Sequence, residues 1–538
     1  MPLTNWFQTG GRLDQPTIEH HTHPWYAVIW LTGVDYFSTL GYQPGIALLA
    51  AGALSPLATA ILILVTLGCA LPVYSQVARR SYVGQGSIAM LENLVPGWWG
   101  KIFVLALLGF AATDFVITMT LSSADATQHV LENPFAMRYV GAGARIPVTI
   151  GLLAVLAAVF IKGFSEAIGL ATAVCLPYLL LNAVVLARGV MEVMSHPHAF
   201  PAWTEALHAR GDWTAVMLAS ALIFPRLALG LSGFETGVSV MPLIKGDAGD
   251  GDPPHGRIRN TRKLLVAAAL IMSVMLMLSS FVTTLLIPKA AYQPGGPASG
   301  RAIAYLAHEL LGNTFGTVYD ISTILILWFA GASAMAGMLH LIPRYLPRFG
   351  LAPEWTAYSR PLVLVLFAMT VAVTLAFKAD VDAQGGAYAT GVLVLMLSAA
   401  VASTLALSHE GNRGMAIYTG LVALVFAYTL VDNVLERPDG IIIASIFIGI
   451  ILAISGVSRY YRARELRVSA MIFATGESQR LFNAITDKKV HLVPIRGETA
   501  DFRERKAREI HEHYNVKGPL AFVNVRLLDN RSEFLSPI

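Results

Sequence analysis

Residues 33–45 read Gly33-Val34-Asp35-Tyr36-Phe37-Ser38-Thr39-Leu40-Gly41-Tyr42-Gln43-Pro44-Gly45, a polar, glycine-punctuated stretch inside the first long apolar segment. An ionised aspartate is costly in hydrocarbon, so Asp35 needs a partner, and the hydroxyl side chains close by predict a cation site. The glycines and Pro44 predict a broken helix, which is tolerated at membrane depth only where the freed backbone lines a cavity. This combination is typical of an ion pathway.

The composition places the whole chain in a membrane. Of its 538 residues 55% are hydrophobic and only 13% are charged, far below the quarter or so of charged residues usual in soluble domains. The net charge of +4 is modest, and no basic patch indicates a nucleic-acid partner. Cys69 and Cys175 lie in apolar segments, so no disulfide framework is expected. The sequence predicts an all-α polytopic protein of the plasma (inner) membrane, embedded in its lipid bilayer.

Taking about 20 apolar residues as the length that crosses a bilayer, we predict twelve transmembrane helices. They lie near residues 26–53, 56–78, 101–129, 146–162, 165–190, 214–243, 262–287, 315–342, 361–378, 385–408, 413–431 and 440–460. Lys and Arg are more frequent in the connections that share a side with the termini, which favours cytoplasmic N- and C-termini. The predicted domains are a cytoplasmic segment at 1–24, a transporter domain at 25–460 and a cytoplasmic tail at 461–538.

The sixth segment repeats the pattern of the first. It carries Glu235 among hydroxyl side chains and the glycines Gly230, Gly233 and Gly237, so a second broken helix is expected. Five helices separate the two breaks, and an odd offset reverses orientation across the membrane. Segments 1–5 and 6–10 (about 26–190 and 214–408) would then form a LeuT-like five-plus-five inverted repeat whose interrupted helices 1 and 6 meet near the midplane. Two extra helices at 413–460 fall outside it.

The third segment supplies a polar stripe. Asp114, Thr118 and Ser122 are spaced four residues apart, which places them on one helical face, and we expect that face to meet the breaks. Asp35, Asp114 and Glu235 cannot all stay ionised in one low-dielectric cavity without cations, because like charges disfavour each other's ionised form. Glu235, with Asp114, is therefore the candidate for carrying a proton.

Several other patterns carry weaker predictions. Asp125 is read as interfacial, and the glycines of both breaks have an alternative role in close helix packing. Residues 301–310 have helical spacing and predict an external lid or an ordinary surface helix. The stretch from Gly84 to Trp99 predicts a re-entrant or interfacial piece. After Arg467 the order is βαβαβ: strands at 468–474, 490–495 and 520–528, and helices at 477–485 and 501–514.

The motifs together resemble the KUP-type potassium transporters of the amino acid–polyamine–organocation superfamily, and most closely the potassium importer A branch. In that family a first-helix Asp is followed seven positions later by Tyr, as Asp35 and Tyr42 are here. A third-helix Asp is followed by Thr and Ser at the spacing of the stripe described above. A sixth-helix hydroxyl, glycine and glutamate match Ser232, Gly233 and Glu235, with Ser in place of the Thr of the nearest branch. The Gly-Asp-Ile-Gly-Thr-Ser-Pro-Leu-Tyr signature of the plant and enterobacterial types is absent.

The resemblance implies potassium uptake coupled to proton entry by alternating access, without a cofactor and with a homodimer as one oligomeric state. It implies K⁺ ligands at Asp35, Tyr42, Asp114, Thr118, Ser122 and Ser232. Two alternatives stay open: an amino acid transporter of the same superfamily, and a non-transporting membrane sensor read out by the tail. No Walker motif, nucleophile elbow or zincin sequence occurs, so an enzyme is not expected.

Overall fold

The computed structural model describes residues 22–82, 84, 86–94, 97–163, 168–345, 354–465, 476–486, 489–495, 499–514, 516 and 518–524. The helices of the apolar region are α1 (Trp25–Ser38), α2 (Gln43–Ala51), α3 (Ser55–Val65), α4 (Leu71–Arg80), α5 (Gly86–Leu94), α6 (Gly97–Leu131), α7 (Arg145–Ile161), α8 (Ile168–Ser195), α9 (Ala199–His208), α10 (Trp213–Ile223), α11 (Phe234–Ser239), α12 (His255–Leu286), α13 (Lys289–Tyr292), α14 (Ala302–Tyr345), α15 (Ser359–Ala376), α16 (Val381–His409), α17 (Arg413–Glu436) and α18 (Asp439–Glu465). The C-terminal residues add α19 (Gly476–Ile485), β1 (His491–Ile495), α20 (Ala500–Tyr514) and β2 (Leu520–Asn524).

Ten helical stretches among the described residues are long and apolar enough to cross a membrane. The first of them, Trp25–Arg80, has 56 residues and turns at Gly52, which has a φ of 55°. The described residues also include a shorter apolar helix, Arg145–Ile161, in addition to these ten stretches. The chain is therefore an all-α polytopic membrane protein, with helices at the positions of all the predicted segments. The number of crossings and the inverted repeat remain predictions.

The first predicted helix break is present. The helix that begins at Trp25 ends at Ser38, a turn runs from Thr39 to Tyr42, and α2 begins at Gln43. Pro44 stands in the first turn of α2, where its missing N–H leaves no helical hydrogen bond unmade and its fixed φ suits the start of a helix. The polar stretch thus divides one membrane segment into two half-helices.

The second predicted break is also present. The α-helix that begins at Trp213 tightens into a 3₁₀-helix at Phe224–Leu231, and Ser232 is extended. Gly233 then has a φ of 90°, and α11 begins at Phe234. Such a backbone conformation is readily adopted by glycine and is strained for other residues. Gly230, at the end of the 3₁₀-helix, and Gly233 therefore belong to the break.

Three of the glycines predicted to break helices lie inside helices instead. A Cβ added to Gly33 in α1 would lie 2.5 Å from the Phe37 ring, and one on Gly237 in α11 would lie 2.6 Å from Leu265. A Cβ added to Gly45 in α2 would lie 3.4 Å from the backbone of Gly300. The break prediction is wrong for Gly33, Gly45 and Gly237, which lie inside helices. At Gly45 and Gly237 the small residue serves close packing against neighbouring elements, the alternative that the sequence left open.

The helix predicted at residues 301–310 forms the start of α14. A kink at Gly312, whose φ is 83° and ψ 166°, separates it from the rest of that helix. Its side chains Ile303, Leu306 and Ala307 are buried in a core cluster with Val185 of α8. An ordinary surface helix is therefore the wrong interpretation of this segment.

The chain divides into two compact units. One contains the described residues up to Ile342 together with Trp355–Ile451, and it holds all the predicted site residues. The other includes the C-terminal residues, where β1 pairs in parallel with β2, from His491 opposite Leu520 to Ile495 opposite Asn524. The helices and strands predicted for this tail are found, except that the predicted first strand at 468–474 lies outside the described residues.

A candidate cation site between two broken helices

A hydrogen bond joins the two broken helices. Thr236 of α11 donates its hydroxyl to Oδ2 of Asp35 in α1 over 2.8 Å. A second bond runs from the Gln43 side-chain amide to the carbonyl of Leu227, over 3.1 Å. The predicted meeting of the two breaks is therefore confirmed, and Asp35 has a partner for one of its two oxygens.

The Glu235 carboxylate is held by the segment before α6. Its Oε1 accepts a hydrogen bond of 3.0 Å from the backbone N–H of Ser87 at the start of α5. A Cβ added to Gly86 would overlap Oε1 at 1.8 Å, so only glycine leaves room for the carboxylate here. The other oxygen, Oε2, is buried without a hydrogen-bond partner among the described residues. The Ser87 N–H thus orients one oxygen of the Glu235 carboxylate, and the other accepts no hydrogen bond that meets ordinary geometry among the described residues.

Asp114 of α6 completes the group of acids. It interacts electrostatically with both Asp35 and Glu235, which places this residue of the stripe beside the breaks. Its Oδ1 is buried and lacks a partner in the described part of the chain. A Cβ on Gly391 of α16 would lie 2.9 Å from the Asp114 Cβ, so α16 approaches α6 closely at the level of this acid.

The hydroxyl residues predicted beside the acids are all in this region, with different degrees of engagement. Thr118 donates its hydroxyl to the Asp114 carbonyl over 2.7 Å, a bond within α6 that leaves its lone pairs free. Ser122 is buried on the same face. The Ser232 hydroxyl is buried and lies beside the Tyr388 side chain. The tyrosine predicted as a ligand, Tyr42, interacts electrostatically with Asp35 and Asp114.

Tyr388 of α16 belongs to the same region, although no strong feature of the sequence selects it. Its buried side chain interacts electrostatically with Asp35, Tyr42 and Asp114 and lies beside Ser232. The available signal was weak: a tyrosine three positions before Gly391 in the glycine-rich run that starts at Gly385. The second wall of the site is therefore α16, facing α6.

The interfacial interpretation of Asp125 is wrong. This side chain is 0% exposed, because the helix that carries it continues to Leu131 and packs against the first break. A Cβ on Gly41 would lie 3.0 Å from its Oδ2. Asp125 is therefore a further buried acid. It lies on the same face of α6 as Asp114, beyond Ser122.

The arrangement can bind a cation through oxygen atoms. The donors are carboxylates, hydroxyls and the carbonyls freed at the two breaks, the ligand types that replace an ion's hydration water in membrane pathways. In the part of the chain that the structure describes, no three His, Cys, Asp or Glu side chains form a compact metal cluster.

Comparison with known proteins identifies the fold and no family. No family model and no curated protein matches the chain. A solved variant of the manganese transporter of Eremococcus coleocola matches with a TM-score of 0.51 at 14% identity, over 82% of this chain and 96% of that one. A complex of that transporter with an aromatic bis-isothiourea compound matches with a TM-score of 0.49, also at 14% identity, over 84% and 97% of the two chains. The chain thus has a fold found in a solved membrane transporter.

Proposed function

We propose that this protein is a secondary active transporter that takes up potassium across the plasma membrane together with protons, by alternating access. The observation that carries the proposal is the junction of the two broken helices, where Thr236 orients Asp35 while Asp114 Oδ1 is buried and has no hydrogen-bond partner among the described residues. Buried polar atoms without partners are costly, and a bound cation would satisfy them. The transporter fold supports transport, and the resemblance to KUP-type proteins supports potassium.

Glu235, with Asp114, is the proposed proton carrier. Three acids around one cavity cannot all stay ionised, so entry of a cation and binding of a proton are coupled through charge. Glu235 is placed for this role because it lies next to Thr236 in α11 and the Ser87 N–H fixes one of its oxygens. Release of its proton would restore the negative charge that draws the next cation into the site.

Uptake by reconstituted protein tests the substrate. Proteoliposomes that contain the full chain should accumulate ⁸⁶Rb⁺, a potassium surrogate, and unlabelled K⁺ should compete with it. Parallel arms with ⁵⁴Mn²⁺ and a labelled amino acid mixture are needed, because oxygen donors also suit hard divalent ions and a broken-helix site also suits an amino acid. Uptake of manganese or amino acids without Rb⁺ would overturn the potassium proposal, and no uptake in any arm would favour the sensor.

Coupling is tested separately by Glu235→Gln, which keeps the side-chain shape and removes the titratable group. Acid-stimulated Rb⁺ uptake should disappear, and a pH dye inside the vesicles should no longer report proton entry. Glu205→Gln, an exposed change on α9, is the control and should behave as the wild type. If Glu235→Gln keeps its pH dependence, Glu235 is not the proton carrier.

A further inference from the structure

Asp125 is a buried acid that the proposed central site does not use. It follows Asp114 by eleven residues on α6, three helical turns, so it continues the face of Thr118 and Ser122. Both of its carboxylate oxygens are buried and lack a hydrogen-bond partner among the described residues. Burying an ionised carboxylate without a partner costs several kcal/mol. The group therefore requires a countercharge or a proton.

The basic side chains around Asp125 also contact other acids. Asp125 interacts electrostatically with His129, Arg301 and Arg145. His129 Nδ1 lies 2.8 Å from Asp320 Oδ1, and Arg301 Nη2 lies 3.4 Å from both Asp320 oxygens. These two groups therefore face Asp125 without pairing with it.

Two more side chains contact the Asp320 carboxylate. His308 Nε2 lies 2.9 Å from its Oδ2, and the Asn133 side-chain amide donates to the same oxygen over 2.8 Å. Glu132, in the turn just after α6, also interacts electrostatically with Arg301 and Asp320. Asp320 and Glu132 therefore compete with Asp125 for the basic side chains of this network.

The third cation, Arg145 at the start of α7, is directed elsewhere too. Its Nη1 lies 3.9 Å from Asp380 Oδ2. Neither Arg145 nor Arg301 forms a direct ion pair with Asp125 in the described part of the chain, although both interact with it electrostatically.

Oxygen ligands surround the free side of Asp125. Its Oδ2 faces the first helix break at Gly41, where Pro44 has no N–H to donate to the carbonyl of Leu40. The hydroxyl of Tyr178 is buried, and it interacts with Tyr319 and Asn182 as well as electrostatically with Asp125. The Tyr42 hydroxyl interacts electrostatically with Asp125 as well as with Asp35, so it lies between the two acids in the electrostatic sense.

We propose that Asp125 forms a second binding position for a monovalent cation, separate from the central site and connected to it along the polar face of α6. The ion would be held by the Asp125 carboxylate, the Leu40 carbonyl and the hydroxyls of Tyr178 and Tyr42. The proposal rests on the proposed potassium transport. A cation entering from this end of α6 would pass from Asp125 to Ser122 and Thr118 and then reach Asp114.

The number of ions bound per chain tests the proposal. ⁸⁶Rb⁺ binding to the purified full-length protein in lipid nanodiscs should saturate at two ions for the wild type and at one for Asp125→Asn. Glu205→Gln is the control, because it removes an exposed carboxylate on α9, away from this network, and it should leave two. Asp114→Asn should also leave one ion, which would then occupy the Asp125 position.

A second variant covers the case in which Asp125→Asn does not fold. Gly41→Ala keeps the carboxylate but places a methyl group 3.0 Å from Oδ2 and 3.2 Å from the Ser38 carbonyl, so it should weaken the second ion at least tenfold. If the wild type and Asp125→Asn both bind one ion, or if Gly41→Ala binds two ions with unchanged affinity, the second position does not exist. If the wild type and Asp125→Asn each bind one ion and Asp114→Asn binds none, the central site exists and only the second position is ruled out. Wild type that binds no Rb⁺ at all would remove potassium transport itself.

Discussion

The Thr236 hydroxyl has one function that can be isolated, the hydrogen bond to Asp35 Oδ2. A hydrogen bond to a charged group contributes about 1.5–3 kcal/mol, which corresponds to about ten- to hundredfold in affinity. Thr236→Val keeps the shape of the side chain and removes the donor, so it should raise the Rb⁺ concentration for half-maximal uptake by that factor. Thr236→Ser retains the hydroxyl and should stay near the wild type. Equal affinity of the valine and serine variants would show that Asp35 does not need this bond.

Individual residues differed in how well the sequence revealed them. Asp35, Asp114 and Glu235 could be found because a carboxylate in an apolar segment is costly enough to be functional by default. Asp125 was misjudged because its burial depends on where α6 ends and on what packs against it. Tyr388 could not be selected because a tyrosine is amphipathic and fits a core, an interface or a site equally well.

Among the secondary-structure elements, the second break depends on Gly233. Its φ of 90° is unfavourable for other residues, and a Cβ here would lie 2.8 Å from the Cβ of Tyr36. Gly233→Ala should therefore lower Rb⁺ uptake by more than tenfold, because the alanine would force α11 away from α1 and separate Thr236 from Asp35. Transport activity and the melting temperature of the purified protein measure the effect.

The matched control for that variant is Gly151→Ala in α7, where a Cβ meets nothing within 4 Å. Alanine is favoured over glycine inside a helix by about 1 kcal/mol, so this variant should be as active and at least as stable as the wild type. A Gly233→Ala protein with normal uptake would show that the left-handed residue is dispensable.

Asp250 stabilises the start of the long helix α12 from the preceding loop. Its carboxylate accepts hydrogen bonds from the N–H groups of Gly256 and Arg257 in the first turn, over 2.9 and 3.0 Å. The bond from Gly256 is the main reason why the pKa of Asp250 lies below its ordinary value of 3.8. A carboxyl group whose pKa is lowered by folding stabilises the folded state above its ordinary pKa, and this contribution is lost as the pH falls through the lower value.

Asp250→Asn should accordingly lower the melting temperature at pH 7, and the difference from the wild type should shrink below pH 3.8. Thermal unfolding of both proteins in the same detergent across this pH range measures it. Glu205→Gln, an exposed substitution elsewhere, should show no such dependence. A constant difference at all pH values would mean that Asp250 acts by its shape and not by its charge.

At the scale of the whole molecule, the sequence predicted the positions of helices better than their environment. Apolar length and glycine-rich polar interruptions are local properties, so the segments and both breaks could be located, as could the helices and strands of the tail from Gly476 to Asn524. Packing is not local. The sequence therefore could not decide that Gly33 and Gly237 accommodate neighbouring side chains, or that the helix after Arg301 is buried.

A bound cation should stabilise the whole membrane unit, because its proposed ligands come from several separate elements: α1, the turn after it, α6 and the second break. A ligand that binds only the folded state stabilises it by about 2.7 kcal/mol at a hundredfold excess over Kd. In a protein of this size we expect the melting temperature to rise by a few degrees, since about 1 kcal/mol corresponds to about 2–4 °C in domains of 150–250 residues. KCl should therefore protect the purified protein against heat more than NaCl or choline chloride at the same ionic strength. Asp114→Asn should lose most of this protection, whereas Glu205→Gln should keep it. Equal melting temperatures in the three salts, in protein that accumulates Rb⁺ in vesicles, would mean that the ion does not bridge these elements.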